Sequence, residues 1–226
     1  MTNGLGQSAS AFSTSTVSLE NQASFSTLFQ FRISNPIGIR DRDGVGADGI
    51  VFVVQTVSNT AGGGGGGIGY SGLADSVGVE IDTWQNFEFG DTDGNHIGID
   101  TEGNIVSLLV APIVFPPRLN DGTDWFLWVD YDGATDQFEV RLAQSNSRPA
   151  TPLLSLTLDL PAILGSTDVF AGFTSGTGAA GGVHDIVSWE FRSTFAPIGQ
   201  PSVPAPASLV LLGLGLLGAA VVRRRR

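Results

Sequence analysis

The sequence predicts an all-β fold, a sandwich or jelly roll of antiparallel strands. Three observations carry this. Apolar residues alternate with a period of two in several separate stretches, Gly-containing turn signals fall between them, and no stretch of the body sustains a 3.6-residue period. The chain has 226 residues with 31 Gly and a hydrophobic fraction of 42%, enough for one sizeable core.

The strands follow in order. Ala23, Phe25, Phe29, Phe31 and Ile33 share one parity and read as a strand with one buried face. Ile50 to Val54 is a continuous apolar run, as a central strand covered on both faces would be. Val79 to Asn86 reads as a further strand. Trp125, Leu127, Val129 and Tyr131 alternate, as do Phe138, Val140 and Leu142, and then Leu154, Leu156, Leu158 and Leu160. Turn signals separate these runs at Asp43-Gly44, Asp93-Gly94, Glu102-Gly103, Asp121-Gly122 and Asp132-Gly133. The low-complexity stretch Gly62 to Gly67 reads as a flexible loop. It does not read as a phosphate cradle, because no helix follows it.

Charge divides the chain into two parts. There are 22 acidic residues against 11 basic ones, and four of the basic ones are the terminal Arg223 to Arg226. Without them seven Arg face 22 acids, which leaves −15 on the rest. A body this acidic, with scattered Arg, does not neutralise phosphates, so no nucleic-acid partner is expected. The absence of Cys excludes a disulfide scaffold, a thiolate metal site and a Cys nucleophile.

The informative segment runs from Val79 to Asp100. On an extended strand Glu80, Asp82, Trp84 and Asn86 project from one side. Two carboxylates, an amide and a ring on one face are not a hydrophobic core, and the carboxylates repel unless a cation lies between them. Asp91 and His96 follow at short spacing. Oxygen ligands favour Ca²⁺, and one imidazole among carboxylates suits Mn²⁺ or a similar transition ion. A solvated acidic face is the alternative for such a stretch. The second histidine, His184, reads as a hydrogen-bonded structural residue. Asp130, Asp132 and Asp136 read as a solvated hairpin turn around Gly133.

This spacing resembles that of the legume-type (L-type) lectins. Val79-Glu80-Ile81-Asp82-Thr83-Trp84-Gln85-Asn86, then Asp91, then His96-Ile97-Gly98-Ile99-Asp100 is similar to the metal signature of that family. Ala47-Asp48-Gly49-Ile50-Val51-Phe52 resembles its Ala-Asp-Gly loop, and the glycine run with Ile68-Gly69 its sugar loop. Gly172 to Gly178 and His184 to Trp189 resemble its last loop and strand. The resemblance covers roughly residues 10 to 195 and implies a concanavalin-like jelly roll over 1–195. It implies that Glu80, Asp82, Asp91 and His96 hold the transition metal. Ca²⁺ would take Asp82, the carbonyl of Trp84, Asn86 and Asp91. A glycan would then sit beside the Ca²⁺, on Asp48, Asn86, a glycine-loop N–H placed at Gly66, and the face of Trp84. It further implies a cis Ala47–Asp48 peptide, and multivalent binding compatible with a homo-oligomer.

Two other readings compete. Laminarinase-type glucanases share the sandwich but place a third acid where Trp84 stands, so binding is expected rather than hydrolysis. A structural surface or matrix protein of the same fold, without sugar binding, is the other.

The C-terminal segment reads separately. Pro197, Pro201, Pro204 and Pro206 make an extended linker over 196–206, and 207–226 holds the charge-free run Ala207 to Val222 and the Arg cluster. As a helix the run spans about 24 Å, close to the ~30 Å hydrocarbon core, and the Arg favour a cytoplasmic C-terminus. Val203-Pro204-Ala205-Pro206 followed by such a helix and an Arg cluster resembles the PEP-CTERM sorting signal of Gram-negative bacteria, with Ala205 where Glu is usual. That resemblance implies export, a transient inner-membrane anchor, cleavage by an exosortase, and delivery to the cell surface or an exopolysaccharide matrix. Met1 to Thr16 has neither a basic n-region nor an apolar h-region. Together with the first strand of the lectin family, which is not found, this points to a truncated start. One sheet is then expected to end in an unpaired edge.

Overall fold

The computed structural model describes residues 1–199, except 58, 115 and 116. The Ala207 to Val222 helix and the Arg cluster lie outside the described residues. Twelve strands and one short helix make up the described chain: β1 Ser8–Phe12, β2 Val17–Ser18, β3 Phe25–Gly38, β4 Gly49–Gln55, β5 Ser76–Asp82, β6 His96–Thr101, β7 Asn104–Pro112, β8 Trp125–Asp132, β9 Gln137–Ala143, β10 Leu154–Thr157, α1 Leu160–Leu164, β11 Asp168–Gly176 and β12 Ala180–Arg192. They form two antiparallel sheets. One runs β1-β11-β4-β5-β6-β7, with β2 also on β11, and the other runs β10-β9-β8-β3-β12. The expected all-β sandwich is what the chain adopts.

Alternation explains the core. Phe25, Phe29, Phe31 and Ile33 of β3 meet Ile50, Phe52 and Val54 of β4 and Val77, Val79 and Ile81 of β5 across the space between the sheets. Trp125, Leu127, Val129 and Tyr131 of β8 join them, with Phe138 and Val140 of β9. Phe52 lies at the centre, 6.0 Å from Phe29 and 5.7 Å from Phe173 between ring centroids.

β4 is buried along its whole length for a reason the apolar run foreshadows. Its odd-numbered Val51 and Val53 point out of the sandwich, where Ile68, Tyr70 and Ile105 cover them. The residues that bring Ile68 and Tyr70 there are the glycine run. This run is not a loose loop: Gly62 N–H donates to Gly69 O at 2.6 Å, Gly63 N–H to Ser71 O at 2.9 Å, and Gly65 N–H to Thr177 O at 3.2 Å.

Two strand expectations need correction. The run Leu154 to Leu160 is a strand only as far as Thr157. Asp159 then accepts from the Ala162 N–H and Pro161 occupies the first turn, so Leu160 opens α1 instead. The strand Val79 to Asn86 stops at Asp82. The Asp82 carboxylate accepts from the Trp84 N–H at 2.6 Å, and this local bond turns the chain out of the sheet. Trp84 and Asn86 therefore lie on a loop and do not continue the face that carries Glu80 and Asp82.

At the C-terminal side the segment after β12 packs back on the five-stranded sheet. Ala196 N–H donates to Ser26 Oγ at 3.1 Å and Ile198 is buried. β12 is an edge strand of its sheet, and Met1 bonds across it to His184 through both main-chain groups.

Replacing Phe52 by Ala is expected to cost about 3–5 kcal/mol, as a cavity among stacked rings does. Urea unfolding should show a lower midpoint at unchanged slope. A loss below about 1 kcal/mol would mean that the two sheets are held together elsewhere.

Candidate functional site

β5 and β6 are neighbours, and their register puts Glu80 opposite Gly98 and Asp82 opposite His96. Glu80 and Asp82 share the outer face of the seven-stranded sheet because they are two apart on a strand. The register then delivers His96 to the same place. Ligand atoms of Glu80, Asp82 and His96 all lie within 4.8 Å of one another, and all three residues are buried. Gly98 is what makes room. A Cβ there would lie 2.4 Å from Glu80 Oε1 and 2.1 Å from Ser107 Oγ, so no larger residue fits beside that carboxylate.

Asp91 joins from the loop. Its Oδ2 accepts the Asn86 N–H at 2.7 Å, which aims Oδ1 to 4.0 Å from His96 Nε2. Glu80 Oε1 is closer, at 3.3 Å. On its other side His96 Nδ1 meets the Asp93 carbonyl at 3.1 Å. Donation there leaves Nε2 facing the carboxylates, where it would offer its lone pair to an ion once its own proton is lost.

Electrostatics describe a centre with more negative charge than it can keep ionised alone. Burial pushes Asp82 well up from the ordinary carboxylate range, with Glu80 and Asp91 adding to it. Burial raises Asp91 in the same direction. Burial by itself would lower His96, but Asp93, Glu80 and Asp82 outweigh it and carry the imidazole up to about 11. Protons are thus retained where cations would otherwise balance the charge. Glu80 Oε2, His96 Nε2 and Asn86 Oδ1 are buried without a hydrogen-bond partner among the described residues, as donor atoms awaiting a cation are. A set of carboxylate, amide and imidazole donors fits one hard ion and one borderline ion.

Asp48 immediately precedes β4, whose first residue pairs with Asp82 at the C-terminal end of β5, and it follows a cis Ala47–Asp48 peptide. It is 4% exposed, and burial pushes its carboxyl up to about 7 against a bond from Gly178. Thr83 anchors it through the main chain, donating to the Asp48 carbonyl from N–H at 2.8 Å and from Oγ at 3.1 Å. Asp48 N–H in turn donates to Gly176 O at 3.1 Å. Gly66 closes the group. A Cβ on Gly66 would lie 2.5 Å from Asn86 Nδ2, and one on Gly178 would lie 3.3 Å from Asp48 Oδ2. Four distant segments therefore converge on Asp48 and Asn86, with Asp48 Oδ2 left without a hydrogen-bond partner among the described residues.

The structure brings together Glu80, Asp82, Asp91 and His96, and separately Asp48, Gly66 and Asn86. Trp84 stands on the connecting loop, half-buried. Several contributors escaped the sequence reading. Ser107 of β7 reaches Glu80 Oε1 and Asp100 Oδ1, each at 2.6 Å. One hydroxyl has one proton to give, so both contacts are satisfied when Asp100 is itself protonated, the direction in which burial and Glu80 push it. A lone Ser inside the apolar run Ile105 to Ala111 was the available signal. Asp41 had none: it accepts from Gln85 N–H at 3.0 Å with one oxygen and from Asp43 and Gly44 with the other, bracing the loop from 44 residues upstream.

The remaining candidates sort differently. His184 is buried, with Nδ1 at 2.6 Å from Ser175 Oγ, and burial lowers it to about 4, as expected of a neutral structural histidine. Asp132 and Asp136 serve the β8–β9 turn, bonding the Ala134 N–H and the Tyr131 hydroxyl. Asp130 does not belong to that solvated turn. It is 1% exposed and paired with Arg141 and Arg148, because it points to the covered outer face of β8.

Comparisons with known proteins agree with this geometry. The legume lectin domain family matches residues 2–204, and the PEP-CTERM protein-sorting motif matches residues 202–226. The L-type lectin-domain containing receptor kinase VIII.1 of Arabidopsis thaliana is 33% identical over 194 residues, 83% of this chain and 26% of the kinase. The chain thus spans about a quarter of the length of the curated relatives it matches. Peanut lectin, solved with a nine-residue peptide, superposes with a TM-score of 0.69 at 27% identity over 84% of this chain and 82% of that one. The lectin from Bauhinia forficata in complex with GalNAc gives 0.69 at 26% identity, over the same shares. A family match along nearly the whole described chain, on a two-sheet antiparallel sandwich shared with solved lectins, leaves one assignment: the chain belongs to the legume lectin family and carries a PEP-CTERM protein-sorting motif at its C-terminal end.

Proposed function

We propose that this chain is an exported carbohydrate-binding protein whose sugar site is organised by Ca²⁺ and a transition ion such as Mn²⁺. The observation that carries the reading is the convergence of Asp48, Gly66 and Asn86 directly beside the buried Glu80, Asp82, Asp91 and His96 cluster. Glu80, Asp82, Asp91 and His96 would hold the transition ion. Asp82, the Trp84 carbonyl, Asn86 and Asp91 would hold Ca²⁺. The ions supply charge balance that fixes the loop from Trp84 to Asp91. The chain's own groups then do the recognition. Asp48 accepts from two sugar hydroxyls, Asn86 and the Gly66 N–H donate, and Trp84 offers its ring to the sugar's C–H surface.

Binding is favoured over hydrolysis. Glu80 is 1% exposed and closed in by Gly98 and Ser107, and Trp84, at the place of the third acid in glucanases, has left the strand. A general acid needs to reach the glycosidic oxygen, and neither Glu80 nor Asp82 is open to one. The PEP-CTERM motif supports sorting by an exosortase after transient anchoring in the inner membrane through Ala207 to Val222. The partners are then glycans or an exopolysaccharide at the cell surface. We place the lectin domain over 1–195, the linker over 196–206 and the sorting helix over 207–226.

Replacing Asp48 by Asn is expected to weaken glycan binding roughly 10- to 100-fold, because it removes charge-assisted acceptance of about 1.5–3 kcal/mol. Glycan-array screening with Ca²⁺ and Mn²⁺ identifies the sugar, and calorimetry on the variant reads the loss. No binding to any glycan with both ions present would overturn the reading in favour of a structural role.

Metal uptake at pH 7 is expected to release protons, since His96 and the raised carboxylates carry protons that the ions displace. Affinity should therefore rise with pH through the neutral range. Calorimetry in two buffers of different ionisation enthalpy measures this. An Asp82→Ala protein that kept stoichiometric metal would remove Asp82 from the site. Chelation should also lower the unfolding temperature, by about 2.7 kcal/mol of stability for each ion present at 100 times its Kd.

A further inference from the structure

Little of the proposed sugar site is open. Asp48 and Asn86 are 4% and 8% exposed, and Gly66 offers only main chain. Groups this enclosed read the hydroxyls of one sugar residue, so whatever else a glycan carries lies on the surface around them. That surface begins at Asn86. The next residue, Phe87, is 77% exposed, the most exposed aromatic ring among the described residues. Trp189, also at the surface, leans edge-on against Phe173 at 5.1 Å between ring centroids. Scattered apolar residues are normal on any surface, and it is the mounting of Phe87 that sets it apart.

The backbone under the ring is fixed. A single helical turn, Phe87–Phe89, starts from Asn86 and ends at Gly90, whose φ of 89° closes it. Asn86 N–H donates to Asp91 Oδ2 at 2.7 Å, and Asn86 O accepts from Phe89 N–H at 3.0 Å and from Asp91 N–H at 3.3 Å. Gly90 N–H donates to Phe87 O at 3.2 Å, and Gln85 Nε2 donates to Asp91 O at 3.2 Å. Phe89 packs inward, against the cluster of Val51, Val53, Ile68, Tyr70 and Ile105. The turn is thus held at both ends and from below, and Phe87 keeps only its two side-chain torsions. A ring on such a mount loses little entropy when something stacks on it.

Position and charge then say what the ring meets. Adjacent Cα atoms are about 3.8 Å apart, so Phe87 stands within one sugar residue's reach of Asn86. The face of an aromatic ring is electron-rich, and the C–H groups of a pyranose are partially positive, so the two attract. Glu88 is exposed beside the ring, and the body carries −15 outside the terminal Arg, which makes an uncharged sugar the better fit. Trp84, half-buried two residues before Asn86, serves the first sugar residue in the proposed reading. We infer that Phe87 is the platform of an extended subsite, where the second residue of a neutral oligosaccharide stacks while the first is held by Asp48 and Asn86. The inference rests on the reading of Asp48 and Asn86 as a sugar site. Phe87 makes that site prefer a saccharide chain to a single sugar.

The test uses the full-length chain in a detergent without a sugar headgroup, with Ca²⁺ and Mn²⁺ present. Methyl glycosides of glucose, galactose and mannose, and the neutral di- and trisaccharides of each, are titrated by calorimetry. Saturation-transfer NMR maps which sugar protons touch the protein. The native chain is expected to bind the best disaccharide roughly three- to tenfold more tightly than its methyl glycoside, with saturation reaching the second residue's C–H protons. Phe87→Ala should remove both the preference and that signal, while affinity for the methyl glycoside stays within about twofold. Phe87→Trp should keep both. Should Phe87→Ala disturb the turn and lose metal, Phe87→Leu, which keeps the bulk and drops the ring, carries the same comparison. A disaccharide preference that survives loss of the ring overturns the subsite and leaves the Asp48 site standing, as does a native chain with no such preference. A native chain that binds no saccharide at all removes the sugar site and the subsite together.

Discussion

Buried negative charge on the outer face of β5 and β6 is the constraint on which the rest of the site depends. Glu80, Asp82 and His96 are packed within 4.8 Å of one another, with Asp91 added from the loop. Carboxylates in such an environment either bind protons or bind cations. Burial pushes Asp82 and Asp91 up, and the surrounding acids push His96 up, toward the first state. In the proposed reading the donor set takes the second state, which would replace mobile protons by ions whose ligands include the loop from Trp84 to Asp91. The first three main-chain N–H groups of this loop each donate to an acid: Trp84 to Asp82, Gln85 to Asp41, Asn86 to Asp91. Loop conformation and charge balance are thus one problem.

In the proposed reading, the Asp48 group that would meet the sugar inherits its geometry from that solution. Asp48 is tied to the end of β5 by Thr83 and to β11 through Gly176, while Gly66 rests against Asn86. A carboxylate raised to about 7 by burial is a poor acceptor when protonated and a strong one when ionised. Positive charge nearby would favour the ionised form, which in the proposed reading would link cation binding to recognition without any large movement of the chain. The glycine run serves twice: it presents Gly66, and it carries Ile68 and Tyr70 over the outward face of β4.

The opposite sheet solves a different problem with similar materials. Asp130, Glu139, Arg141 and Arg148 neutralise one another inside a covered face, without a metal-type cluster. Their burial comes from chain segments laid over β8 and β9, not from the strands themselves. Had these residues stood on an open sheet face they would have been ordinary surface ion pairs, worth little.

What the sequence determined by itself was whatever depends on short spacing. Period-two alternation announced β3, β8 and β9, a continuous apolar run announced β4, and the intervals from Glu80 to His96 announced the donor set, because residues two apart on a strand share a face wherever that strand lies. The same local logic failed where a side chain bonded its own backbone, at Asp82 and Asp159, and ended a strand early. The motif resemblance supplied Asp48 and Gly66, which no local pattern connects to Asn86. Only the tertiary structure decided that Asp41 braces Gln85, that Ser107 links Glu80 to Asp100, and that Asp130 is buried between two arginines. Those contacts join residues far apart in the chain, and their closeness follows from sheet register and from loops folded over a sheet face, neither of which is written in the spacing of neighbouring residues.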